Sequence, residues 1–261
     1  MSNFITYKNA QIHFTDEGSG KVVLLIHGFL EHLKMWDDLV PHLSKTHRVI
    51  CIDLLGHGKT DCLGYVHTME DMAKAVTEVL SILKLKSATV IGHSMGGYVS
   101  LVLLETHPNF VKGICLVNST PISDSSDKRL NRDRAIKAVK TNCKMFVRLS
   151  IANLFRPKSR KLYKDAFENV KTEALKISVQ SIIAALEGMK LRKDRLELFK
   201  QSNIPRLVIL GKKDAILNYK LQRSYYEDTD INIVKFPDGH MSYIENNEEF
   251  TYNIMRFIEN I

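Results

Sequence analysis

The sequence contains a serine whose surroundings suit nucleophilic catalysis. Ser94 lies in the motif Gly92-His-Ser-Met-Gly96, which follows the apolar run 88–91 and precedes a helical pattern. In this context a serine occupies a sharp turn that presents its hydroxyl group above a sheet, and the glycines let the strand and the helix approach closely. The alternative is a glycine-rich turn whose serine only caps the helix, but the position directly after an apolar run favours the nucleophile.

A serine hydroxyl is a poor nucleophile without a general base, and the base needs a carboxylate to orient it. Among the ten histidines, His240 is the candidate base because it lies in a loop directly after an apolar run. Asp214 follows another apolar run in the same way, and we predict that it orients His240. Asp238 is closer to His240 in sequence than Asp214 is, but we predict that Asp238 is a turn residue. Asn118, at the end of a further run, lacks the charge that an imidazolium requires.

Acyl chemistry also needs two N–H groups that stabilise the negative charge formed on the carbonyl oxygen. We predict these donors at Met95, which follows the serine at the start of a helix, and at Phe29, in the loop after an apolar run. Leu30 and His93, which lie beside them, are candidate substrate-binding residues. His27 in the same loop is predicted to be structural.

Continuous apolar runs, separated by helical patterns, must position these residues. Strands that are covered on both faces of a parallel sheet have such runs, and the carboxyl ends of the strands then share the edge where ligands bind. The runs are 22–26, 49–52, 88–91, 114–117 and 207–210. Helical patterns cover 69–83, 95–105 and 244–258, and residues 4–15 suggest an antiparallel hairpin at one edge. The predicted fold class is α/β, a mostly parallel, doubly wound sheet with an inserted helical cap.

Residues 121–200 carry the insertion. This segment holds 20 basic and 9 acidic residues, whereas the whole chain holds 37 basic and 29 acidic residues. Only one of the 13 glycines of the chain lies in this segment. Its helical patterns cover 128–140, 144–153, 158–170 and 172–191. We therefore predict a core formed by residues 1–120 and 201–261 and a cap formed by residues 121–200. Its positive charge has two interpretations: a solvated outer face, or a cleft in which Arg129, Arg132 and Arg134 attract acidic substrates.

Composition limits the remaining functions. The chain has 261 residues, of which 44% are apolar and 25% charged, and this excludes a disordered, collagen-like or disulfide-stapled protein. The N-terminus lacks the pattern of a signal peptide, and no apolar run is long enough to span a membrane, so we expect a cytoplasmic protein. The basic pI of about 9.2 comes without a nucleic-acid-binding motif, and we predict no nucleic-acid partner. No metal-binding or phosphate-binding motif is present, and we predict no metal and no cofactor.

These motifs together resemble the α/β-hydrolase family. The matching pieces are His27-Gly28, Asp53-x-x-Gly-His-Gly58, Gly92-His-Ser-Met-Gly-Gly97, Gly211-x-x-Asp214 and Asp238-Gly-His240. The chain is similar to cap-bearing esterases, haloperoxidase-like perhydrolases, lactonases and carbon–carbon bond hydrolases. The family places its cap where this chain inserts residues 121–200. Haloalkane dehalogenases and epoxide hydrolases use an aspartate nucleophile, so Ser94 argues against both.

The resemblance implies a serine hydrolase that cleaves a carboxylic ester or a related acyl bond of a small-molecule substrate through an acyl-enzyme. Ser94 would be the nucleophile, His240 the base and Asp214 the acid of the triad. We expect a monomer or a homodimer. Two alternatives remain: a lyase or carbon–carbon bond hydrolase with the same triad, and a non-enzymatic ligand receptor with the same fold.

Overall fold

The computed structural model describes residues 2–261, which form one eight-stranded sheet flanked by helices. The strands are β1 (Ser2–Tyr7), β2 (Ala10–Glu17), β3 (Lys21–Ile26), β4 (His47–Ile52), β5 (Ala88–His93), β6 (Val111–Val117), β7 (Arg206–Gly211) and β8 (Asn232–Phe236). Their order across the sheet is β1-β2-β4-β3-β5-β6-β7-β8. The pairs β1–β2 and β2–β4 are antiparallel and the other five are parallel. The predicted α/β fold and its edge hairpin are confirmed.

Helices alternate with the strands along the chain and pack on the sheet. They are α1 (Val40–Leu43), α2 (Met69–Ile82), α3 (Met95–Thr106), α4 (Ser126–Leu154), α5 (Pro157–Leu162), α6 (Lys164–Ala174), α7 (Val179–Lys190), α8 (Leu196–Gln201), α9 (Tyr219–Ser224), α10 (Ser242–Glu245) and α11 (Asn247–Glu259), with a 3-10 helix at Leu33–Trp36. Among the helices of residues 2–261, none is both long enough and apolar enough to cross a bilayer.

The core lies in the sheet and beneath its helices because the strands are apolar on both faces. Every residue of β5 and of β7 is buried. The hydrophobic free energy scales with the apolar area removed from water, so these buried strands contribute strongly to stability. Parallel pairing brings the carboxyl ends of β3, β5, β6, β7 and β8 to one edge of the sheet, and the loops that leave this edge carry the candidate site residues.

Helices α4 to α8 form an insertion between β6 and β7. The long helix α4 packs against α6 and α7, and it bends at Asn142, whose φ of −154° is not helical. This break lies between the predicted helices 128–140 and 144–153, so α4 consists of two helical stretches that meet at Asn142, as the sequence predicted. The division of the chain into a core and a cap stays a prediction.

The C-terminal helix differs from the sequence prediction. One helix was predicted over 244–258, but the structure has α10 and α11, which are separated at Asn246. The side chain of Glu245 turns inward and accepts hydrogen bonds from the amides of Gly239 and Met241, and Asn246 donates to Asp238. These tertiary contacts outweigh the local preference for a continuous helix.

Helix α7 packs closely against the loop that precedes α2. The amide of His67 donates to the carbonyl of Ala184 at 2.9 Å, and a Cβ on Gly188 would collide with the carbonyl of His67. We expect Gly188→Ala to lower the free energy of unfolding by about 1–3 kcal/mol, because backbone atoms must separate to admit the methyl group. Thermal unfolding measures the change, with Glu187→Ala as the control on the same helix. Equal unfolding temperatures for the two variants would contradict the close approach.

Candidate functional site

Ser94 occupies a sharp turn between β5 and α3. Its φ of 49° and ψ of −112° are rare for a residue other than glycine. A Cβ at Gly92 would collide with the backbone of Gly96, and one at Gly96 would collide with the carbonyl of Ile26. The glycines are therefore required by close backbone approach, as the motif predicted. The side chain of Ser94 makes no capping hydrogen bond to α3, so the capping alternative is wrong.

The structure brings the three predicted site residues into direct contact. The Oγ of Ser94 lies 3.0 Å from Nε2 of His240, and Nδ1 of His240 lies 2.7 Å from Oδ2 of Asp214. The side chains of His240 and Asp214 are each 2% exposed, whereas Ser94 is partly open to solvent. An imidazole held in this way can remove the serine proton and return it to a leaving group.

Asp214 is held as a carboxylate. Burial alone raises the pKa of Asp214, but the charge and hydrogen bond of His240, together with the amides of Leu217 and Ile216, lower it below its ordinary value. These two amides donate to Oδ1 at 3.0 and 2.7 Å, which leaves Oδ2 for the imidazole. An ionised acid in this position fixes the tautomer of His240 and stabilises the imidazolium that forms during proton transfer.

Asp238 has other partners than His240. Its carboxylate forms an ion pair with Arg156 and accepts a hydrogen bond from Asn246 at 3.2 Å. The residue thus connects the histidine loop to the chain that follows α4 and to the α10–α11 junction. These contacts favour Asp214 over Asp238 as the acid.

Asn118 has supporting contacts that the sequence did not indicate. Its Nδ2 lies 3.2 Å from Oδ2 of Asp214 and 3.2 Å from the carbonyl of Gly239, and its backbone has a φ of 43°. The residue directly follows β6 at the edge where the site lies, and this position was the available signal. The sequence suggested Asn118 only as a substitute acid, whereas in the structure it donates to Asp214.

Removing the amide of Asn118 is expected to loosen Asp214. A hydrogen bond to a charged group contributes about 1.5–3 kcal/mol, so we expect Asn118→Ala to lower kcat roughly tenfold or more with little change in KM. Steady-state kinetics on a p-nitrophenyl ester measures both constants, with Asn253→Ala on α11 as the control. A wild-type kcat for Asn118→Ala would contradict this supporting role.

The two predicted N–H donors are the chain neighbours of residues at the site: Met95 follows Ser94, and Phe29 follows Gly28, where an added Cβ would lie 3.1 Å from Cβ of Ser94. The amide of Met95 is the first of α3 and therefore has no acceptor within the helix. Phe29 lies in the loop after β3, which turns at Leu30 with a φ of 63°. Within residues 2–261, the amide of Phe29 donates to no backbone or side-chain acceptor. Both amides are thus available to a ligand, and their assignment as oxyanion donors stays a prediction.

His27 holds the loop that carries Phe29. Burial lowers the pKa of His27, so the ring is neutral. Its Nε2 accepts a hydrogen bond from the amide of Leu54 at 2.9 Å, which leaves Nδ1 to donate to the carbonyl of Gly28 at 2.7 Å. These contacts fit the structural role that the sequence predicted for this histidine.

The two predicted substrate-binding residues differ in position. Leu30 is 2% exposed and lines a cavity of about 320 Å³ with Tyr243 and residues of α6. His93 is 1% exposed, and both of its ring nitrogens face groups of the protein, the carboxylate of Glu31 and the carbonyl of His240. This geometry does not favour substrate binding by His93. Within residues 2–261, no group of three or more His, Cys, Asp or Glu side chains could hold a metal ion.

Comparison with known proteins agrees with the fold. A family model described as alpha/beta hydrolase fold matches residues 21–247. An esterase from Thermogutta terrifontis, solved with malate bound, is 26% identical, with a TM-score of 0.91, over 100% of this chain and 98% of that chain. An esterase from Exiguobacterium antarcticum is 22% identical, with a TM-score of 0.88, over 99% of this chain and 100% of that one, and shows the fold alone.

Curated relatives match over shorter stretches. The pimeloyl-[acyl-carrier protein] methyl ester esterase of Nitrosomonas europaea is 34% identical over 113 residues, which are 43% of this chain and 42% of that protein. An uncharacterized protein of Mycobacterium tuberculosis is 33% identical over 106 residues, 41% of this chain. The chain spans only 31% of the length of that relative.

Proposed function

The chain belongs to the α/β-hydrolase family, and we propose that it is a serine hydrolase that cleaves a carboxylic ester or a related acyl bond of a small molecule through an acyl-enzyme. The observation that carries the proposal is the contact of Ser94 Oγ with His240 Nε2 at 3.0 Å, with Asp214 on the opposite nitrogen at 2.7 Å. The Thermogutta terrifontis neighbour, named an esterase, supports the same reaction class.

The proposed reaction has two halves. Ser94 Oγ attacks the acyl carbonyl carbon while His240 Nε2 takes the serine proton, and the amides of Phe29 and Met95 bind the resulting oxyanion. Collapse of the tetrahedral intermediate breaks the bond to the leaving group, which receives the proton from His240. Water then attacks the acyl-enzyme, His240 takes its proton, and the acid leaves as Ser94 regains its hydrogen. Asp214 stays ionised throughout.

Helices α4 to α8 are proposed to act as the cap over this site. The carbonyl of Leu154, at the end of α4, accepts a hydrogen bond from the amide of His240 at 3.1 Å, and Arg156 pairs with Asp238 in the same loop. The insertion therefore contacts the loop that carries the proposed base. A cover of this kind excludes water from the reacting groups and shapes the substrate pocket.

Mass spectrometry of the trapped intermediate tests the acyl-enzyme. After a rapid acid quench with a p-nitrophenyl ester, we expect the peptide that contains Ser94 to gain the mass of the acyl group. Ser94→Ala should show no such gain. Turnover that depends on His240 without an acyl-enzyme would instead indicate a lyase or carbon–carbon bond hydrolase. Binding without turnover of esters, lactones or dienones would indicate a ligand receptor.

The arginines at the start of α4 contact other groups of the protein. Arg132 forms an ion pair with the buried carboxylate of Asp124, Arg129 donates to the carbonyl of the same residue, and Arg134 contacts Asn131. These contacts favour the solvated-face interpretation of the positive charge over a carboxylate-binding cleft.

We therefore expect kcat/KM for a carboxylated ester and for a neutral ester of equal size to respond alike to salt. If long-range attraction contributed, raising the salt from about 10 to about 300 mM would screen it and would lower kcat/KM for the charged ester alone. Initial rates at low substrate concentration measure the ratio of the two values. A ratio that falls with salt would restore the cleft hypothesis.

A further inference from the structure

A buried carboxylate lies beneath the proposed active site. Glu31, in the loop after β3, is 3% exposed. Its Oε2 accepts hydrogen bonds from the amide of Gly28 at 2.8 Å and from Nδ1 of His93 at 2.7 Å, and its Oε1 accepts one from the hydroxyl of Tyr243 at 3.1 Å. A buried charge is costly unless it is paired and hydrogen-bonded, and Glu31 meets both conditions.

The contacts of His93 determine its protonation state. Its Nε2 lies 3.0 Å from the backbone carbonyl of His240, which can only accept a hydrogen bond, so this nitrogen carries a hydrogen. Its Nδ1 faces the ionised carboxylate of Glu31, which also only accepts. With Glu31 ionised, both nitrogens donate and the ring of His93 is an imidazolium. Its centroid lies 5.1 Å from that of the His240 ring.

The charges around the pair support this state. Burial alone lowers the pKa of His93, but the charge and hydrogen bond of Glu31 raise it above its ordinary value, with smaller contributions from the His240 carbonyl and the Asp214 charge. Burial alone raises the pKa of Glu31, but the charge and hydrogen bond of His93 outweigh burial and lower the pKa below its ordinary value. Tyr243, whose ring packs edge-on against His93, completes the groups that face the pair.

We propose that Glu31 and His93 form a permanently charged ion pair that positions the reacting groups of the hydrolase. The proposal rests on the function proposed above. Glu31 binds the amide of Gly28, which precedes the oxyanion donor Phe29 in the chain. His93 precedes the nucleophile, and its ring holds the backbone of His240. One carboxylate and one imidazolium thus connect three loops that must keep their relative positions for catalysis.

Nuclear magnetic resonance tests the charge state directly. The ¹⁵N chemical shifts of ring nitrogens distinguish an imidazolium from either neutral tautomer, and the His93 signals are assigned by their loss in His93→Gln. At about pH 7.5, one unit above the ordinary pKa of histidine, we expect both nitrogens of His93 to be protonated in the wild-type protein. In Glu31→Gln we expect one neutral nitrogen. A neutral His93 in the wild-type protein would overturn the proposal.

Kinetics tests the positioning role. In Glu31→Gln the amide carbonyl can still accept from Gly28 and His93, so the variant removes the charge and keeps the shape. We expect kcat to fall roughly 10- to 100-fold, because reacting groups displaced by a fraction of an ångström lose much of their advantage, while KM changes little. An unchanged kcat would overturn the positioning role.

The chain offers a matched control in a buried histidine–carboxylate pair outside the proposed triad. The Nδ1 of His13 lies 2.6 Å from Oδ2 of Asp53, and the two side chains are 5% and 1% exposed. Asp53 also accepts from the amides of Leu33 and Lys59 and holds a structural loop. We expect Asp53→Asn to lower the unfolding temperature as Glu31→Gln does but to keep most of the wild-type kcat. Equal losses of kcat in the two variants would reduce the Glu31 effect to general destabilisation and overturn the proposal.

Labelling of Ser94 separates a failure of the ion-pair proposal from a failure of the proposed hydrolase function. Covalent labelling of wild-type Ser94 by a fluorophosphonate, absent in Ser94→Ala, reports the reactive serine without reference to Glu31. An unlabelled wild-type protein would contradict the hydrolase, whereas a labelled protein with a neutral His93 would contradict the ion pair alone.

Discussion

Ser94→Ala is expected to remove nearly all ester hydrolysis and to leave the fold intact. The variant loses the Oγ that lies 3.0 Å from His240, so no acyl-enzyme can form. The turn itself keeps its support, because the backbone carbonyl of Ser94 still accepts a hydrogen bond from Ser119 Oγ at 2.7 Å. The loss in kcat should be on the order of 10⁴-fold or more, as for triads whose members act as a unit.

His240→Ala should cost a similar factor, and the double variant should cost little more than either single one, because neither group contributes its full effect without the other. Steady-state kinetics and circular dichroism of the three variants measure activity and fold together. Ser100→Ala is the matched control, since this buried serine on α3 donates its hydrogen bond to the carbonyl of Gly96 at 2.8 Å. If Ser94→Ala kept more than about a tenth of the wild-type kcat, another nucleophile would be responsible.

The sheet and the positions of these residues were predictable because one physical rule governs both. Continuous apolar runs indicate strands buried on both faces, and such strands are parallel. Parallel strands end at one edge, so Ser94 after β5, Asp214 after β7 and His240 after β8 lie at the same edge of the sheet. Their geometry is thus a consequence of topology, although their catalytic roles stay predictions until the variants are measured.

The supporting contacts were not predictable because they depend on tertiary packing. Glu31 meets His93 across 62 positions of sequence, and His93 meets the carbonyl of His240 across 147. No local pattern distinguishes Glu31 from a solvated glutamate in a loop. His93 was assigned to substrate binding from its place beside Ser94, since the sequence does not reveal that a buried carboxylate faces its ring.

The dependence on tertiary contacts also explains why the predicted C-terminal helix differs from the structure. The sequence of 244–258 suits one helix, and only the inward turn of Glu245 toward Gly239 separates α10 from α11. The sequence left both a solvated face and a carboxylate-binding cleft open for the three arginines near the start of α4, and the pairing of Arg132 with a buried aspartate favours the solvated face. Charged side chains reveal their function only when their partners are known.

The last large effect concerns the acid. Asp214→Asn keeps the shape of the side chain but replaces one carboxylate oxygen by an NH2 group. This group donates a hydrogen bond, so Nδ1 of His240 can accept rather than donate. His240 would then carry its hydrogen on Nε2, where it must accept the serine proton. We expect kcat to fall roughly 10⁴-fold, as when a triad histidine is held in the wrong tautomer. Steady-state kinetics on a p-nitrophenyl ester measures the loss.

Asp238→Asn is the matched comparison, because it makes the same chemical change two residues before the base. Its carboxylate pairs with Arg156, so the substitution weakens a contact between the histidine loop and the chain after α4. An ion pair that is partly open to solvent contributes about 1 kcal/mol or less, and the expected loss of kcat is correspondingly no more than about fivefold. The two variants thus separate the orienting acid from a loop contact. A larger loss in Asp238→Asn than in Asp214→Asn would transfer the acid role to Asp238.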